Sequence, residues 1–399
     1  MQNGITASWL NLAQALARSQ LDVTLVVDAE AIERFPERQE LLSRVPSSIN
    51  VIARVGVMST LPEERYAVSC TAQAHEFWSP ALRSAFEAAH RREFRRMFGD
   101  VEFDVAVNFE GYQVFWAALM AHATAARRCI FLHNDMFQEW QKKFPYLRMT
   151  FDLYGYYDAI LSVSNTMMEE NSRKLEPVFE RTRGKFLYSE NVINSELIES
   201  HAAQPLDRDL AEWLEGGKTF LSIGRLSLEK DQAKLLRAFH ALRSEYPDSR
   251  LVLVGSGPLE EQLRRLVQEL SLGTAVKFAG ARSNPFPILA ACGCFVLSSN
   301  HEGQPMTLLE ALTLRKPIVA TDIPGNRDVL SGRGGLLVEN TIEGLVAGMG
   351  AFLRGDVLPP QFDAEKYASE ALSSFLSAVG FSPDAGPTLR LPDEALIDA

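Results

Sequence analysis

Short apolar runs alternate with helical patterns of apolar positions throughout the second half of the chain, and turn residues separate them. This alternation predicts a parallel β-sheet whose strands are joined by helices. Residues 251–254 read Leu-Val-Leu-Val, the continuous apolar run expected of a strand covered by helices on both faces. We predict strands at 220–224, 250–255, 276–280, 294–299, 317–321 and 335–338, and helices at 232–244, 259–270, 285–291, 306–313 and 341–353. The pattern predicts a Rossmann-like, doubly wound α/β domain.

The first half of the chain shows the same alternation less regularly. We predict strands at 23–27, 51–55, 105–109, 129–133, 159–164 and 186–188, with helices such as 8–18 and 79–98. Domains of this class open on a strand that leads into the first glycine-containing loop, but here the sequence Asn3-Gly4-Ile5-Thr6 comes at once. We therefore expect the first strand to be missing, either because the start is placed too late or because the chain is a fragment. The neighbouring strand edges would then be unpaired.

Length and pattern together predict two domains. The 399 residues exceed the roughly 250 to 300 at which a single core stops growing. We predict an N-terminal Rossmann-like domain over residues 1–198 and a second over 199–360, because the pattern loosens around Pro205. A helix over 361–380 is expected to return to the first domain, and the acidic tail 381–399 to be disordered.

Composition and charge narrow the class of protein. Hydrophobic residues make up 46% of the chain and charged residues 23%, as in soluble globular proteins. No apolar stretch approaches the roughly 18 to 20 residues that cross a bilayer, and the N-terminus lacks a signal-peptide pattern, so we expect a cytoplasmic protein. The net charge of −11 argues against nucleic acid as a partner. A small phosphorylated ligand can still bind at a locally basic site.

The cysteines favour neither disulfides nor metal. Four residues, Cys70, Cys129, Cys292 and Cys294, are too few for a disulfide framework. Residues 292–294 lack the two-residue gap and the distant partner pair of a zinc site. We expect reduced, buried thiols and no metal site.

Two glutamates, Glu302 and Glu310, stand eight positions apart where a predicted strand ends and a predicted helix begins. Glu302 lies in the loop after the strand, where open α/β sheets bind ligands, and Glu310 lies about a turn into the helix. The helix N-terminus between them comprises Gln304, Pro305, Met306 and Thr307. Such a terminus suits a phosphate, so the two carboxylates can hold hydroxyl groups on either side of a diphosphate.

A second loop, Gly224-Arg225-Leu226-Ser227-Leu228-Glu229-Lys230, also follows a predicted strand and precedes a predicted helix. Its two cations, five positions apart, can converge on one anion. If a nucleotide diphosphate leaves in the reaction, a fixed guanidinium and ammonium group would stabilise the charge that develops on its oxygens. In the turn at 254–258, Gly255 and Gly257 either contact a ligand or form a tight strand–helix connection.

These motifs together resemble the glycosyl transferases group 1, the retaining GT-B glycosyltransferases of family 4. The two-glutamate motif, the Gly-Arg…Lys loop and the turn at 254–258 occur in the family's order. Residues 3–8, 109–112, 131–136 and 299–306 resemble bacterial enzymes of wall-polymer (teichoic-acid-type) and capsule synthesis. The resemblance covers about residues 1–355. It implies two Rossmann-like doubly wound domains that face each other across a cleft, an acceptor-side domain and a donor-binding domain.

The resemblance also implies a role for each site residue. The catalytic residues would be Arg225, Lys230, Glu302 and His133. Arg225 and Lys230 would hold the donor diphosphate, and Glu302 the donor-sugar hydroxyls. His133, after an apolar strand of the first domain, would hydrogen-bond a donor hydroxyl rather than act as a general base. The donor-binding residues would be Gly4 and Thr6 in the first domain, and Gly224, Gly255, Arg282, Gln304, Pro305, Met306, Thr307 and Glu310 in the second. Of these, Glu310 would hold the ribose hydroxyls, and backbone groups near Arg282 would meet the base.

The implied reaction moves a hexose or N-acetylhexosamine from a nucleotide sugar, a UDP-sugar, to a wall polymer, capsule or lipid-linked glycan. It needs no metal and no other cofactor, and the leaving phosphate takes the acceptor proton on the face from which it departs. One alternative is a catalytically impaired nucleotide-binding scaffold that partners another transferase. Another is a GT-B sugar-nucleotide epimerase or phosphorylase, although the two-glutamate motif argues against the epimerase.

Several of these features also have a purely structural interpretation. Glu302 and Glu310 can be a loop acid and a solvated helix residue, and His133 a core or capping histidine, but the combination with Arg225 and Lys230 favours function. Residues 90–98 carry four arginines interleaved with phenylalanine and methionine at helical spacing. They suit a helix on an anionic membrane, at the inner face of the plasma membrane. A solvated amphipathic helix packed on the core is the favoured interpretation.

Overall fold

The structure, a computed structural model, describes residues 4–58, 60–74, 79–215 and 218–381. It forms two compact units. Among the described residues, the first contains those from Trp9 to Glu190 and from Ala371 to Phe381, and the second contains those from Gly4 to Ser8 and from Asn191 to Glu370. The chain enters the second unit after Glu190, earlier than the predicted residue 198, because the helix at Ser195–Ala202 packs against the helix at Phe286–Ala291. Apart from Phe381, the predicted acidic tail lies outside the described residues.

The first unit has two parallel sheets. Its strands are β1 (Thr24–Asp28), β2 (Asn50–Arg54), β3 (Phe103–Asn108), β4 (Ala125–Leu132), β5 (Ala159–Ser162) and β6 (Phe186–Tyr188). Its helices are α1 (Gly4–Leu16, whose first residues belong to the second unit), α2 (Ala29–Arg34), α3 (Pro36–Leu42), α4 (Pro62–Ala74), α5 (Pro80–Phe98), α6 (Val114–Ala121), α7 (Met136–Lys142), α8 (Leu147–Leu153) and α9 (Asn165–Leu175), with 3₁₀ turns at Tyr154–Tyr156 and Glu180–Thr182. Strands β1 and β2 pair with each other, and the second sheet has the order β3-β4-β5-β6.

The division into two sheets leaves two strand edges unpaired. Within the described chain, β1 pairs only with β2 and β3 only with β4. All five residues of β1 are half-buried, whereas all four residues of β5 are buried.

Helix α5 packs its apolar side into the core of the first unit. The Ser79 hydroxyl caps the helix by accepting a hydrogen bond from the Leu82 backbone N–H, and Pro80 occupies the first helical position. Phe86, Phe94 and Phe98 are buried in the core. This supports the structural interpretation of residues 90–98, because Phe94 and Phe98 are not available to contact a bilayer.

The second unit is a six-stranded parallel sheet with helices between successive strands. Its strands are β7 (Thr219–Ile223), β8 (Arg250–Val254), β9 (Val276–Gly280), β10 (Cys294–Leu297), β11 (Ile318–Thr321) and β12 (Leu336–Val338). Its helices are α10 (Ser195–Ala202), α11 (Arg208–Leu214), α12 (Gln232–Leu242), α13 (Glu260–Glu269), α14 (Phe286–Ala291), α15 (Met306–Thr313), α16 (Pro324–Leu330), α17 (Ile342–Arg354) and α18 (Ala364–Ala378), which continues into the first unit. The strand order is β12-β11-β10-β7-β8-β9.

This sheet confirms the predicted doubly wound α/β class. All six predicted strands are present, and strands such as β7, β10 and β11 are buried along their whole length. Helices cover both faces, which explains the continuous apolar runs in the sequence. Beyond Ala371, α18 belongs to the first unit, where Phe375 stacks on Phe131 of β4 with ring centroids 6.0 Å apart.

The state of the cysteines and the lengths of the helices each bear on a prediction from the sequence. Cys129, Cys292 and Cys294 are buried free thiols, and burial raises the pKa of Cys292 to about 12. No helix in the described part of the chain is long and apolar enough to cross a bilayer.

Candidate active site

The candidate site lies at the carboxyl ends of β7 and β10, which are neighbours in the sheet. Strand order reverses at β7, because β8 and β9 lie on one side of it and β10, β11 and β12 on the other. In open α/β sheets such a reversal opens a crevice between the loops that follow the two strands. The Gly224–Lys230 loop follows β7 and the Glu302 loop follows β10, so the topology brings the two predicted motifs together.

Lys230 and Glu302 are in direct contact. The ammonium nitrogen Nζ of Lys230 lies 2.5 Å from Oε1 of Glu302. The Ser299 hydroxyl donates a second hydrogen bond to the same oxygen, also at 2.5 Å. The Lys230 side chain is 21% exposed and the Glu302 side chain 12%, so the pair is held in a partly desolvated position. These two bonds to Glu302 hold the ion pair in place, and both side chains remain partly exposed to a ligand.

The two loops are also joined through their backbones. The Ser298 hydroxyl donates to the Lys230 carbonyl at 2.8 Å, and the Asn300 backbone N–H donates to the Glu229 carbonyl at 2.7 Å. The placement of Lys230 beside Glu302 therefore rests on several bonds in addition to the ion pair itself.

Gly224 and Arg225 occupy the start of the same loop. A Cβ atom at Gly224 would lie 3.3 Å from Cε of Lys230, so the glycine leaves room for the lysine side chain to cross the loop. Arg225 is exposed, and its carbonyl accepts a hydrogen bond from Gln232 Nε2 at 3.0 Å. The guanidinium group is thus accessible at the mouth of the site, whereas Lys230 lies deeper.

The N-terminus of α15 presents open donors beside Glu302. Pro305 is the N-cap residue of α15, and it has no side-chain group that caps the first turn. The Thr307 hydroxyl is buried, and it has no hydrogen-bond partner within the described residues. Open N–H groups, the helix dipole and an unused hydroxyl group form a site that suits a phosphate group.

Glu310 lies on α15, one turn beyond this terminus. Its carboxyl group is partly buried. Burial raises the pKa of Glu310 to about 7, although the positive charge of Lys230 lowers it. Near neutral pH this carboxyl group therefore switches between a hydrogen-bond donor and an acceptor.

Gln304 faces the interior of its unit. Its Oε1 accepts a hydrogen bond from the Asn191 backbone N–H at 2.7 Å, and its Nε2 donates to the Tyr367 hydroxyl at 3.2 Å. The Gln304 residue is only 7% exposed. The Gln304 side chain therefore anchors the start of α15.

The glycines of the turn after β8 are required by the backbone itself. Gly255 has a φ of 143°, which L side chains rarely adopt. A Cβ atom at Gly257 would lie 2.3 Å from the Leu226 carbonyl oxygen. The turn thus packs against the loop that carries Lys230, and both glycines have a structural role even without a ligand.

Arg282 lies apart from the Lys230–Glu302 pair. It follows β9, the edge strand of the sheet, and its side chain is exposed. The guanidinium group donates to the Ala279 carbonyl at 3.0 Å and pairs with Asp207 at 2.8 Å. The contact between the backbone near Arg282 and a base, which the family resemblance implies, stays a prediction.

His133, in the first unit, follows β4. Its Nε2 lies 2.6 Å from the Phe109 carbonyl oxygen, and burial lowers the pKa of His133 to about 4. The imidazole ring is therefore neutral near pH 7, with the proton on Nε2, and Nδ1 is the acceptor. This arrangement agrees with a hydrogen bond to a hydroxyl group and disfavours a general base.

Gly4 and Thr6 lie in the first turn of α1, which begins at Gly4 rather than at Thr6. This segment groups with the second unit, where the Ser8 hydroxyl donates to Oδ1 of Asn191. The two predicted phosphate contacts thus belong to the same compact unit as Lys230 and Glu302.

Two residues of the site were not predicted. Ser299 lies two residues after β10 and contacts Glu302, and its place in the Ser-Asn-His-Glu run was the available signal. Lys234 lies on the buried face of α12, within the apolar pattern of residues 233–239. A lysine on the buried face of a helix requires a polar partner, and that requirement is the signal in the sequence.

Residues 204–370 match the family model of the glycosyl transferases group 1. The match covers β7 to β12 and contains the Gly224–Lys230 loop, Glu302 and Glu310. This segment belongs to the glycosyl transferases group 1. The family assignment agrees with the resemblance seen in the motifs.

Two proteins that are similar to this chain in sequence are also named as glycosyltransferases. An uncharacterized glycosyltransferase of Methanocaldococcus jannaschii is 30% identical over 207 residues, 50% of this chain and 51% of that protein. The N-acetylgalactosamine-N,N'-diacetylbacillosaminyl-diphospho-undecaprenol 4-alpha-N-acetylgalactosaminyltransferase of Campylobacter jejuni is 34% identical over 40% of this chain and 47% of its own length. The chain thus matches about half the length of these relatives.

Solved glycosyltransferase structures share the fold. Anabaena HepE, determined with UDP and glucose, aligns with a TM-score of 0.59 and 17% identity over 96% of this chain and 93% of its own. Staphylococcus aureus TarM, determined with UDP and alpha-GlcNAc-glycerol, aligns with a TM-score of 0.55 and 15% identity over 75% of this chain and 57% of its own. The chain therefore has the GT-B fold of two Rossmann-like domains.

Proposed function

We propose that this protein is a retaining glycosyltransferase of family 4 type that moves a hexose or N-acetylhexosamine from a UDP-sugar to a wall polymer, capsule or related glycan. The observation that carries the proposal is the contact between Lys230 and Glu302 beside the uncapped N-terminus of α15. A cation, a hydroxyl-binding carboxylate and an anion site, side by side, are what a sugar diphosphate requires.

Each site residue then has a defined task. Arg225 and Lys230 hold the diphosphate, and the open amides of α15 hold its oxygens. Glu302 accepts hydrogen bonds from hydroxyls of the donor sugar, while Glu310 accepts them from the ribose. Gly4 and Thr6 supply further contacts to the phosphates, and the backbone near Arg282 meets the base. His133 accepts a hydrogen bond from a sugar hydroxyl through Nδ1.

The reaction breaks the bond between the anomeric carbon and the diphosphate oxygen. The acceptor hydroxyl forms the new bond from the same face, and its proton passes to the departing phosphate oxygen. Lys230 and Arg225 stabilise the negative charge that develops on that oxygen, so no metal ion is required. This mechanism follows from the family resemblance, and the fixed position of Lys230 supports it.

The names of similar proteins guide the proposal for the acceptor. The Campylobacter enzyme is named for a diphospho-undecaprenol acceptor, and TarM was determined with alpha-GlcNAc-glycerol. We therefore propose a polymer or lipid-linked glycan acceptor, a cytoplasmic location and peripheral contact with the inner face of the plasma membrane. The exposed arginines of α5 are the candidate contact with anionic lipid.

Nucleotide release from a panel of UDP-sugars tests the proposal. The wild-type protein should release UDP from one donor, faster with a lipid-linked or polymeric acceptor. Lys230→Ala should lower the rate on the order of 100-fold or more, because a donor to the leaving group is lost. Lys366→Ala, at an exposed lysine of α18, is the matched control. Full activity in Lys230→Ala would overturn the proposal.

A nucleotide-binding scaffold is the second candidate. The division of the described part of the first unit into two sheets, with an unpaired edge at β1 and another at β3, favours it. It predicts that UDP binds and that no donor is turned over. Calorimetric titration with UDP, run beside the release assay, separates the two functions.

A further inference from the structure

Lys234 stands at the centre of a polar cluster behind the Lys230–Glu302 pair. We propose that Lys234 is a positioning residue that fixes the two loops of the donor site relative to each other through Asn300. The inference rests on the proposed function for its kinetic consequence, whereas its structural consequence can be tested without any turnover.

The cluster consists of one cation, one carboxylate and two side-chain amides, Lys234, Asp231, Asn300 and Asn340. Nζ of Lys234 donates to Oδ1 of Asn300 at 2.7 Å and to Oδ1 of Asn340, and it lies 3.5 Å from Oδ2 of Asp231. Nδ2 of Asn300 donates to the same carboxylate oxygen at 3.0 Å, and Nδ2 of Asn340 donates to Asn300 at 3.2 Å. The Lys234 side chain is only 9% exposed.

The cluster touches three separate segments of the chain. Asp231 directly follows Lys230, and Asn300 lies two residues before Glu302. Asn340 comes from the segment between β12 and α17. Lys234 itself lies on α12, a regular helix. Its hydrogen bonds therefore attach both loops to a rigid element, at positions within two residues of Lys230 and of Glu302.

The backbone conformation of Asp231 is one that the surrounding residues have to stabilise. Its φ of 45° lies in the left-handed region, which costs a non-glycine residue on the order of 1 kcal/mol or more. The Asp231 carboxylate also caps α12 by accepting a hydrogen bond from the Lys234 backbone N–H at 3.1 Å. The charge of Lys234 next to Asp231 therefore favours the loop conformation that turns Lys230 toward Glu302.

Loss of the ammonium group would remove the central donor of the cluster. Oδ1 of Asn340 would lose the donor that Lys234 supplies, and Oδ1 of Asn300 would keep only the bond from Nδ2 of Asn340. Asn300 is the more consequential of the two, since its backbone N–H also bonds to the Glu229 carbonyl. Its rearrangement would shift the loop that carries Glu302 and Ser299.

The experiment compares Lys234→Met with Lys234→Arg and with Lys316→Met. Lys316 lies in the same unit, away from the site, and its Nζ donates to the Ala290 carbonyl at 2.8 Å, so its replacement removes a comparable bond. Each variant is first checked for folding by thermal unfolding. The crystal structure of Lys234→Met should show Lys230 separated from Glu302 and Asn300 rotated. An unchanged Lys230–Glu302 contact in that structure would overturn the inference whether or not the protein is active.

Kinetics provide the second measurement. Lys234→Met should lower kcat by about 10-fold to 100-fold, with a much smaller change in donor KM, since misplaced groups cost most in the transition state. Lys234→Arg should recover part of this loss, and Lys316→Met should stay within about twofold of wild type. If kcat of folded Lys234→Met also stayed within about twofold, Lys234 would be merely structural. Absence of turnover in the wild type contradicts the proposed function instead, and the crystal structure then decides the role of Lys234.

Discussion

The Tyr367 hydroxyl accepts a hydrogen bond from the Gln304 side chain at 3.2 Å, at the start of the helix that carries Glu310. The same hydroxyl donates to the Asn191 carbonyl at 3.1 Å, and Asn191 in turn bonds to Gln304 through its backbone N–H. Three segments far apart in the sequence are thus joined by one closed ring of hydrogen bonds. Gln304 directly precedes Pro305, the N-cap residue of the helix that carries the proposed phosphate site.

Tyr367→Phe should therefore destabilise the protein. The substitution removes an acceptor from Gln304 and a donor from the Asn191 carbonyl, both in a buried position, and we expect a loss of about 1 to 3 kcal/mol in the free energy of unfolding. Chemical denaturation of both proteins measures the loss. Tyr188→Phe, at a tyrosine that is 45% exposed on β6, is the control and should change the stability little. Equal stability of the two variants would mean that the ring contributes nothing.

Gly325→Ala should disturb the Glu302 loop. A Cβ atom at this position would lie 2.4 Å from the Glu302 carbonyl oxygen and 2.6 Å from that of Gly303, so backbone must move. We expect a loss of about 1 to 3 kcal/mol in stability and weaker binding of UDP. Gly273→Ala is the matched control, because a Cβ atom there would meet nothing within 4 Å. Unchanged UDP affinity in Gly325→Ala would mean that the loop tolerates the shift.

The sequence predicts the sheet of the second unit well because its strands are buried on both faces. The apolar runs of β8, β10 and β11 are long enough to stand out from the helical patterns around them. Helix α16 was missed, because it begins with Pro324-Gly325-Asn326, residues that are typical of a turn. Tertiary contacts decide this segment: Asn326 is buried and donates to the Thr321 carbonyl at 2.8 Å.

The residue types of the site are visible in the sequence, but their contacts are not. Lys230 and Glu302 are 72 positions apart, and they touch because β10 pairs with β7. Periodicity locates strands without giving their order, so a direct ion pair could not be predicted. The same holds for Lys234, whose partners Asn300 and Asn340 come from loops with no regular pattern.

His133 should titrate far below the usual range of histidine. Burial lowers the pKa of His133 to about 4, although the hydrogen bond with the Phe109 carbonyl raises it. The imidazole ring should therefore remain neutral from about pH 5 upward. Proton NMR of the ring resonance, assigned by its loss in His133→Gln, measures the midpoint. A midpoint near 6.5 would contradict the buried environment and would allow an acid–base role.

Glu310 should make nucleoside binding depend on pH. Burial raises the pKa of Glu310 to about 7, so the carboxyl group ionises as the pH rises from 6 to 8. An ionised carboxylate accepts stronger hydrogen bonds from ribose hydroxyls than the neutral acid does. We expect the affinity for uridine to rise by up to about tenfold over this range. Uridine is the suitable probe because it carries no phosphate group that titrates in the same interval.

Two variants separate the Glu310 effect from other titrations. Glu310→Gln cannot ionise, so its affinity for uridine should be nearly constant between pH 6 and 8. Glu343→Gln, at an exposed acid on α17, should keep the pH dependence of the wild type. The assignment of Glu310 to the ribose requires that only the first substitution flattens the profile. If the affinity of Glu310→Gln for uridine still rose with pH, another group would hold the ribose, and the Glu310 carboxylate would have only a structural role.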